Sequence, residues 1–373
     1  MPQDYRFIAL GGGNETGGSC YALKLGKSII ILDAGIRITA NFLNRIPDVR
    51  PLYERWGLEG LWDIDALVIS HSHNDHTGAL PVFVRDMNTV KVYSSQGTPD
   101  MLYAQNNVLR RDDITSLSDM IITVPFGEKY YINDFALTLF PAGHIPGAAM
   151  TLIENEACRI LYTGDFCDFD QLTVKGAQIP DIKIDTLICE TTYGYKQSIG
   201  RLDVHDLAGK INTILNYTDI FTCTFRNSGK SAEIAAAINL CADTGLIPDM
   251  DIWIDDSCLE ICRVCEKWGS AKIFNGRTKP LGRYYYGIRG CVVSSGSSGG
   301  LYDLGFNMSN HADCGGILNL IARTKPDRVI FVHGLPVSDG TRNILQEITE
   351  RFGGSAIEAL HSINGQELNL LRE

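Results

Sequence analysis

The sequence lacks a long apolar stretch and a basic leader. No run in its 373 residues approaches the roughly 18 consecutive apolar residues that a membrane-spanning helix needs. Residues 1–6 show no basic segment leading into an apolar one, so the start does not resemble a secretory signal. We therefore expect a cytoplasmic protein with no membrane association.

The chain also lacks an excess of positive charge. It has 33 Lys and Arg against 44 Asp and Glu, and its net charge at pH 7 is −11. Indiscriminate nucleic-acid binding relies on clustered Lys and Arg side chains, which release counterions from the nucleic acid. The acidic composition argues against such binding, although it does not exclude a local cationic site. With 45% hydrophobic and 21% charged residues, the chain is ordinary for a folded protein and long enough for about two domains.

Cysteine usage indicates no disulfide framework. The eleven cysteines are odd in number and scattered through predicted strands and helices, which favours reduced and mostly buried thiols. Cys258, Cys262 and Cys265 have a spacing found in some iron–sulfur enzymes. The same spacing is one face of a helix, and we interpret these three as core residues.

Two glycine-containing segments resemble nucleotide-binding motifs but fail on spacing. Residues 11–18 place Thr16 where a dinucleotide fingerprint requires its last glycine. Residues 229–231 (Gly-Lys-Ser) resemble the end of a P-loop, but Thr224 occupies the position where a P-loop requires its first glycine. We expect the glycines of residues 11–18 to let the backbone turn sharply and pass close to a neighbouring site.

What the sequence does contain is a dense group of metal-ligand side chains. Residues 71–76 (His-Ser-His-Asn-Asp-His) follow a buried strand predicted over residues 66–70. Packing needs none of these imidazoles and carboxylates, and each would have to be desolvated. Together they offer the nitrogen and oxygen ligands that Zn²⁺ or a similar divalent metal prefers. The segment predicts a metal site at the carboxyl end of a strand.

Similar side chains follow other predicted strands, a recurrence that independent caps would rarely produce. His144 lies in a Gly/Pro turn between two strands, as a ligand or as a plain loop residue. Three more predicted strands, over residues 159–163, 186–189 and 328–332, end in acids or a histidine. With a further histidine in a turn, the polar set comprises His71, His73, Asp75, His76, His144, Asp165, Glu190, His311 and His333.

Two features allow more than one interpretation. Asp33 ends an apolar strand, and is either a cap or turn residue or a partner that orients a metal-bound histidine. The Ser/Gly run that follows a predicted strand over residues 290–293 is either a linker or a backbone cradle for a phosphate. Its candidate phosphate or substrate contacts are Ser295, Gly296 and Ser297.

From about residue 195 to residue 300, strands and helices alternate without strand-end histidines. This pattern predicts a second, smaller α/β unit inserted into the first. His205 lies in a predicted amphipathic helix and His361 in the C-terminal segment, and we interpret both as structural.

In combination, these motifs resemble the metallo-β-lactamase superfamily. The H-x-H-x-D-H order at residues 71–76 is followed by His144 and Asp165 and preceded by Asp33. The superfamily's β-CASP branch has three extra motifs, and Glu190, His311 and His333 of this sequence resemble them. That branch includes RNase J-type ribonucleases and the endonuclease subunit of the pre-mRNA cleavage and polyadenylation complex. The resemblance covers nearly the whole chain.

The resemblance implies an α/β fold, a four-layer αββα sandwich with an inserted β-CASP domain. Residues 1–194 would form the first part of the sandwich, residues 195–300 the short insertion and residues 301–373 the completing part. The insertion is shorter than in many members, and Leu335-Pro336 follows Gly334 where many members have an acid.

The resemblance also implies the residue roles. Two Zn²⁺ ions are expected, with Mn²⁺ or another divalent metal as the alternative, and a hydroxide shared by the metals would attack the phosphodiester. His311 would be the general acid, oriented by Glu190, and Asp75 would be both a ligand and a catalytic residue. One metal would be held by His71, His73 and His144, the other by Asp75, His76 and His333, with Asp165 bridging.

The expected function is therefore a zinc-dependent nuclease that hydrolyses single-stranded RNA. A DNA exonuclease of the same branch and a small-molecule hydrolase of the wider superfamily are the alternatives, and a non-catalytic scaffold is a third. A homodimer is one assembly that the resemblance allows.

Overall fold

The computed structural model describes residues 4–38, 44–86, 91–108, 111–225, 229–282, 289–295, 302–305, 308–335, 344–352 and 357–372. These residues form two seven-stranded sheets, a five-stranded sheet and the helices around them. In this part of the chain, no helix is both long enough and apolar enough to span a bilayer.

The first seven-stranded sheet contains strands from both ends of the chain. Its strands are β1 (Tyr5–Gly11), β2 (Cys20–Leu25), β3 (Ser28–Leu32), β4 (Ala66–Val68), β5 (Lys91–Ser94), β6 (Ile122–Thr123) and β19 (Glu367–Asn369). Their order is β19-β1-β2-β3-β4-β5-β6, antiparallel as far as β3 and parallel from β3 to β6. Strands β2 and β3 form a hairpin.

The second seven-stranded sheet has the same mixture of directions. Its strands are β7 (Lys129–Ile132), β8 (Phe135–Pro141), β9 (Ala149–Glu154), β10 (Arg159–Tyr162), β11 (Thr186–Glu190), β17 (Arg328–Val332) and β18 (Glu358–His361). Their order is β18-β17-β11-β10-β9-β8-β7. The strands β18, β17, β11 and β10 are parallel neighbours, whereas β10 to β7 are antiparallel.

The period of two along each strand explains how the sheets stack. In β1, Phe7 and Ala9 belong to a core between the two sheets, whereas Ile8 and Leu10 belong to a core on the outer face. In β17, Ile330 packs between the sheets in the same way. Both faces of these strands are therefore apolar, because each sheet is covered on both sides.

Helices cover the outer faces. The first sheet packs against the helical segments α1 (Arg50–Trp56), α3 (Leu80–Asp86), α4 (Gly97–Val108) and α5 (Asp112–Thr115). A further short helix, α2 (Asn74–Thr77), lies between β4 and α3 in the chain. The second sheet packs against α9 (Cys314–Thr324) and α10 (Ile344–Phe352). The order of layers is helix, sheet, sheet, helix, and this confirms the predicted αββα sandwich.

The five-stranded sheet is fully parallel in its described pairings. Its strands are β12 (Ile220–Thr224), β13 (Ile252–Ile254), β14 (Thr278–Pro280), β15 (Gly290–Ser294) and β16 (Tyr302–Asp303), in the order β14-β13-β15-β12-β16. Its helices are α6 (Val204–Ile214), α7 (Lys230–Asp243) and α8 (Asp256–Trp268). The domain boundaries remain predictions, and β16 extends this sheet just past the predicted boundary at residue 300.

Local differences from the predicted elements have physical causes. Residues 74–86 form two short helices, α2 and α3, instead of one, because Ala79 donates its backbone N–H to Ala34 and not to a helical carbonyl. Pro81 then lies in the first turn of α3, where its missing N–H has no cost. Strands β6, β7, β18 and β19 were not predicted; they are short or carry exposed residues, which weakens the alternation that identifies a strand.

As predicted, the cysteines are buried as free thiols, including Cys258, Cys262 and Cys265 on the inner face of α8. Of the two histidines interpreted as structural, His205 is exposed on α6 and His361 lies on the edge strand β18.

Candidate metal centre

Strand direction brings distant side chains to one place. Because β10, β11 and β17 are neighbouring parallel strands, their carboxyl ends lie at one edge of the second sheet. Asp165, Glu190 and His333 lie at or just after these ends. The turn between β8 and β9 adds His144, and residues 71–76 arrive from the end of β4 in the opposite sheet.

Three histidines and an aspartate form the first group. Nδ1 of His73 lies 3.0 Å from Nε2 of His71 and 3.2 Å from Nε2 of His144. Oδ2 of Asp165 lies 3.6 Å from Nε2 of His71 and 3.8 Å from that of His144. The ligand atoms of the four residues all lie within 4.8 Å of one another, which is compatible with one shared cation.

Two further histidines and Asp75 form the second group. Oδ2 of Asp75 lies 3.4 Å from Nε2 of His333, and the ligand atoms of Asp75, His76 and His333 lie within 4.8 Å of one another. The other carboxylate oxygen of Asp165, Oδ1, lies 3.3 Å from Nε2 of His76 and 3.1 Å from Nδ1 of His333. Asp165 therefore lies between the two groups, with one oxygen towards each.

Hydrogen bonds to the outer ring nitrogens direct lone pairs inwards. Nδ1 of His144 lies 2.8 Å from the carbonyl oxygen of Asn310, which can only accept a hydrogen bond. Nδ1 of His76 lies 2.8 Å from Oδ2 of Asp33. Each ring therefore keeps a proton on Nδ1, which leaves Nε2 as the atom that faces the centre and would bind a metal.

The donor set fits divalent metal ions. Nε2 of His76 and Oδ1 of Asp165 are buried, and although they lie 3.3 Å apart they form no well-angled hydrogen bond with each other or with another atom in the described part of the chain. Buried polar atoms of this kind normally find a partner, and a cation between them supplies one. Imidazole nitrogens with carboxylate oxygens are a typical zinc ligand set, and the residues are compatible with a site for two metals.

The charge states agree with this fit. Burial lowers the pKa of His71 and of His144 well below the ordinary histidine value, and that of His73 to about 4. These three imidazoles are thus neutral near pH 7, the state in which histidine binds a metal. Burial opposes the charged form of His76 and His333 as well, but the carboxylate of Asp165 outweighs it and raises the pKa of both, that of His76 well above the ordinary value. These two rings would release a proton when a metal binds.

Asp33 is completely buried, and its carboxylate has four partners. It accepts hydrogen bonds from the backbone N–H of Ser70 at 2.7 Å, the Ser70 hydroxyl at 2.7 Å and the Tyr162 hydroxyl at 2.7 Å, besides its contact with His76. Of the two interpretations left open by the sequence, these contacts favour the one in which Asp33 orients a histidine.

The glycine-rich segment 11–18 passes close to the centre, as expected. A Cβ atom on Gly17 would lie 3.3 Å from Oδ2 of Asp75, and Gly17 has a φ of +83°, which L-residues with a side chain rarely adopt. The backbone N–H of His333 donates to the carbonyl oxygen of Gly12 at 2.7 Å. The segment thereby supports residues of the second group.

A third group lies beside Asp165. Nδ1 of His311 is 3.0 Å and 3.1 Å from the two carboxylate oxygens of Glu190, and 4.0 Å from Oδ2 of Asp165. Glu190 also accepts hydrogen bonds from the backbone N–H groups of Phe166 at 2.9 Å and Thr192 at 3.3 Å. Burial by itself lowers the pKa of His311, but the charges of Glu190 and Asp165 outweigh it and raise that pKa to about 9.

A cleft of about 470 Å³ opens on the centre and is lined by His73, Asp75, Asp165, His311 and His333. Its opposite wall comes from the unit of the five-stranded sheet: Phe225, Ser231, Ser257, Cys258, Ile261 and Ser295. Ser295, a predicted substrate contact, is thus in the cleft, whereas Gly296 and Ser297 lie outside the described residues.

Several cleft residues were missed by the sequence reasoning. Ser257 follows β13 at the carboxyl edge of its sheet, the same strand-end signal that identified the acids, so it could have been found. Gln105 lines the cleft from α4, and no local pattern distinguishes it from other polar helix residues.

Comparisons with known proteins agree with the fold. Residues 13–166 match the family model of the metallo-beta-lactamase superfamily. A solved structure, of a protein of unknown function from Enterococcus faecalis V583, aligns with a TM-score of 0.65 over 98% of this chain and 99% of that one. The two are 13% identical, so this likeness concerns the fold alone.

Curated relatives match over part of their length. The chain is 31% identical over 234 residues to endoribonuclease YSH1 of Yarrowia lipolytica, covering 57% of this chain and 27% of the relative. It is 34% identical over 209 residues to cleavage and polyadenylation specificity factor subunit 3 of Dictyostelium discoideum, covering 52% and 26%. The match thus spans about a quarter of these relatives.

The sandwich and its clustered His and Asp side chains define a protein with a centre compatible with two metals. The match of residues 13–166 to the superfamily model supports the predicted resemblance to the metallo-β-lactamase superfamily. The curated relatives also support the predicted β-CASP branch.

Proposed function

We propose that this protein is a zinc-dependent nuclease that hydrolyses phosphodiester bonds of single-stranded RNA. The observation that carries the proposal is the contact between His311 and Glu190 next to Asp165, because it adds a charged acid to a metal centre. The relatives named as endoribonucleases support RNA as the substrate and cleavage within the chain.

His71, His73 and His144 would hold one metal and Asp75, His76 and His333 the other, with Asp165 shared. The chemistry that two such ions supply when bound is a hydroxide nucleophile at neutral pH and positive charge against the phosphate. Asp75 is in this proposal both a ligand and part of the catalytic apparatus.

His311 acts as the general acid. With a pKa near 9 it carries a proton at pH 7, and Glu190 keeps its ring oriented. It donates this proton to the 3′ oxygen as the phosphorus–oxygen bond breaks, which leaves a 5′-phosphate on one product and a 3′-hydroxyl on the other. Asp33 keeps His76 in its orientation through the hydrogen bond to Nδ1.

The unit of the five-stranded sheet forms the far wall of the cleft and would be the β-CASP insertion. A chain of RNA would lie between this wall and the metal centre, with Ser295 as one contact. A small substrate needs neither this wall nor the His311 and Glu190 pair, which weighs against the small-molecule alternative.

End-labelled single-stranded RNA and DNA of one sequence, each incubated with and without a chelator, test the proposal. We expect RNA to be cut, and cutting to stop when the metal is removed. Cleavage of DNA alone would favour the DNA exonuclease. Hydrolysis of only a lactone or thioester would favour the small-molecule enzyme, and no reaction with added Zn²⁺ or Mn²⁺ would favour the scaffold.

The variant His311→Ala tests the role of the acid. It should abolish turnover while metal analysis still finds about two ions per chain. Loss of metal in this variant would make His311 a ligand and would refute the role proposed for it.

A further inference from the structure

A second cavity lies directly behind the cleft. Its volume is about 520 Å³, and its lining includes Lys230 and Asn310. The next residues in the chain, Ser231 and His311, line the catalytic cleft. Two pairs of consecutive residues thus form the wall between the two cavities, so a substrate held in the cleft lies next to the second one.

Lys230 is costly for the fold in its present position. It is partly buried, and no hydrogen bond or ion pair to its ammonium group occurs among the described residues. It is also the first residue of α7, where the positive end of the helix dipole disfavours a cation. Burial lowers the pKa of this lysine, which reflects the same cost.

Nearby carboxylates do not neutralise Lys230. Glu233 lies one turn further along α7, but it accepts hydrogen bonds from the N–H groups of Leu172 at 2.7 Å and Thr173 at 2.8 Å, and from the Thr173 hydroxyl at 2.7 Å. Asp170, also in the lining, pairs with Lys175 at 2.9 Å.

Arg201 adds a second cation to the cavity. Its guanidinium lies 4.2 Å from the ring centroid of Phe169, and no carboxylate of the described residues is within ion-pair distance of it. Stacking on a ring fixes the plane of an arginine and leaves its edge free to bind a phosphate in two places.

Asn310 contributes a hydrogen-bond acceptor, Oδ1, to which no group in the described structure donates. Its Nδ2 donates to the carbonyl oxygen of His144 at 3.1 Å, so the opposite atom, Oδ1, is the acceptor. Asn310 is 3% exposed, and its Oδ1 has no hydrogen-bonding partner in the described structure. A hydroxyl group is the kind of ligand that would satisfy it.

We propose that this cavity binds the ribose-phosphate backbone of the nucleotide next to the cleaved bond. Lys230 and Arg201 contact its phosphate, and Oδ1 of Asn310 accepts a hydrogen bond from a ribose hydroxyl. The site differs from a P-loop, since Thr224 stands at the position where a P-loop requires a glycine. The inference rests on the proposed nuclease function.

Cleavage kinetics of the full-length, metal-loaded protein on labelled RNA test the contacts with phosphate. We expect Lys230→Met and Arg201→Met each to raise KM about tenfold with kcat nearly unchanged. Each should also reduce the slope of log(kcat/KM) against log salt by about 0.7, the value for one lost contact to a single strand. The control Lys183→Met removes a cation that pairs with Asp327 outside both cavities, and should change neither.

Thermal unfolding separates loss of a contact from loss of the fold. Because Lys230 is partly buried and has no ion-pair partner among the described residues, Lys230→Met should unfold at the same temperature as the wild type or higher. Equal KM values and salt slopes for both variants and the wild type would overturn the inference while leaving the nuclease intact. A wild-type protein that cleaves no RNA would overturn both proposals.

Single 2′-deoxy substitutions along the RNA test the contact with Asn310. We expect a fall in kcat/KM at one position close to the cleaved bond, and no change at distant positions. Equal rates for every substituted RNA would refute the ribose contact.

Discussion

Both carboxylate oxygens of Glu190 lie within hydrogen-bonding distance of Nδ1 of His311, at 3.0 and 3.1 Å. Glu190 is itself almost fully buried and held by backbone N–H groups. The pair joins a strand end to a turn 121 residues away in sequence. The pair places a carboxylate directly against the histidine proposed as the acid.

Replacing Glu190 by Gln should slow RNA cleavage about 10²- to 10³-fold, because the acid loses the charge that keeps it protonated and oriented. The pKa of His311 should fall, so the decline of kcat at high pH should begin at a lower pH. Steady-state rates over a range of pH measure both effects. The exposed Glu156→Gln is the matched control, and an unchanged pH profile in Glu190→Gln would contradict the assigned role.

Replacing Asp33 by Asn should weaken metal binding about 10- to 100-fold, since His76 loses the acceptor that orients its ring. Competition with a chelator of known affinity measures this change. Tyr162→Phe removes one hydrogen bond to the same carboxylate and should cost about 1 kcal/mol of stability with metal affinity nearly intact. Equal metal affinity in Asp33→Asn and the wild type would show that Asp33 does not position the ligand.

Removing the metal should destabilise the protein. A ligand at a hundred times its Kd stabilises the folded state by about 2.7 kcal/mol, and the metal-facing nitrogens of His71 and His144 would lose their cation. Urea unfolding with and without a chelator measures the difference. The variant His71→Ala should show a smaller difference than the wild type, and a wild-type curve insensitive to chelation would argue against a metal centre.

His361 should make stability depend on pH. Burial lowers its pKa, and neither ring nitrogen has a hydrogen-bonding partner within the described part of the chain. The unfolded chain binds a proton below about pH 6.5 whereas the folded chain resists it, so stability is present above that pH and is lost as the pH falls. His361→Phe should reduce this loss in unfolding curves between pH 7 and pH 5, and the exposed His205→Gln should not. An identical loss in His361→Phe would exclude this residue as the cause.

Much of the architecture was predictable from short stretches. Continuous apolar runs such as residues 66–70 and 328–332 predicted strands because both faces of each sheet are buried. The acids and histidines that follow these strands predicted a common site, because they have no role in packing. Such signals are local, so a short stretch of sequence is enough to recognise them without knowledge of the rest of the fold.

Only the tertiary structure decided which distant residues meet. The sequence left Asp33 as either a turn residue or a partner of a histidine, and the packing of β4 against β3 brings it to His76. Lys230 appeared only as part of a failed P-loop, and the cavity it shares with Arg201 and Asn310 depends on three separate segments. Contacts between loops carry no period in the sequence, because they are created by the relative positions of whole sheets and helices.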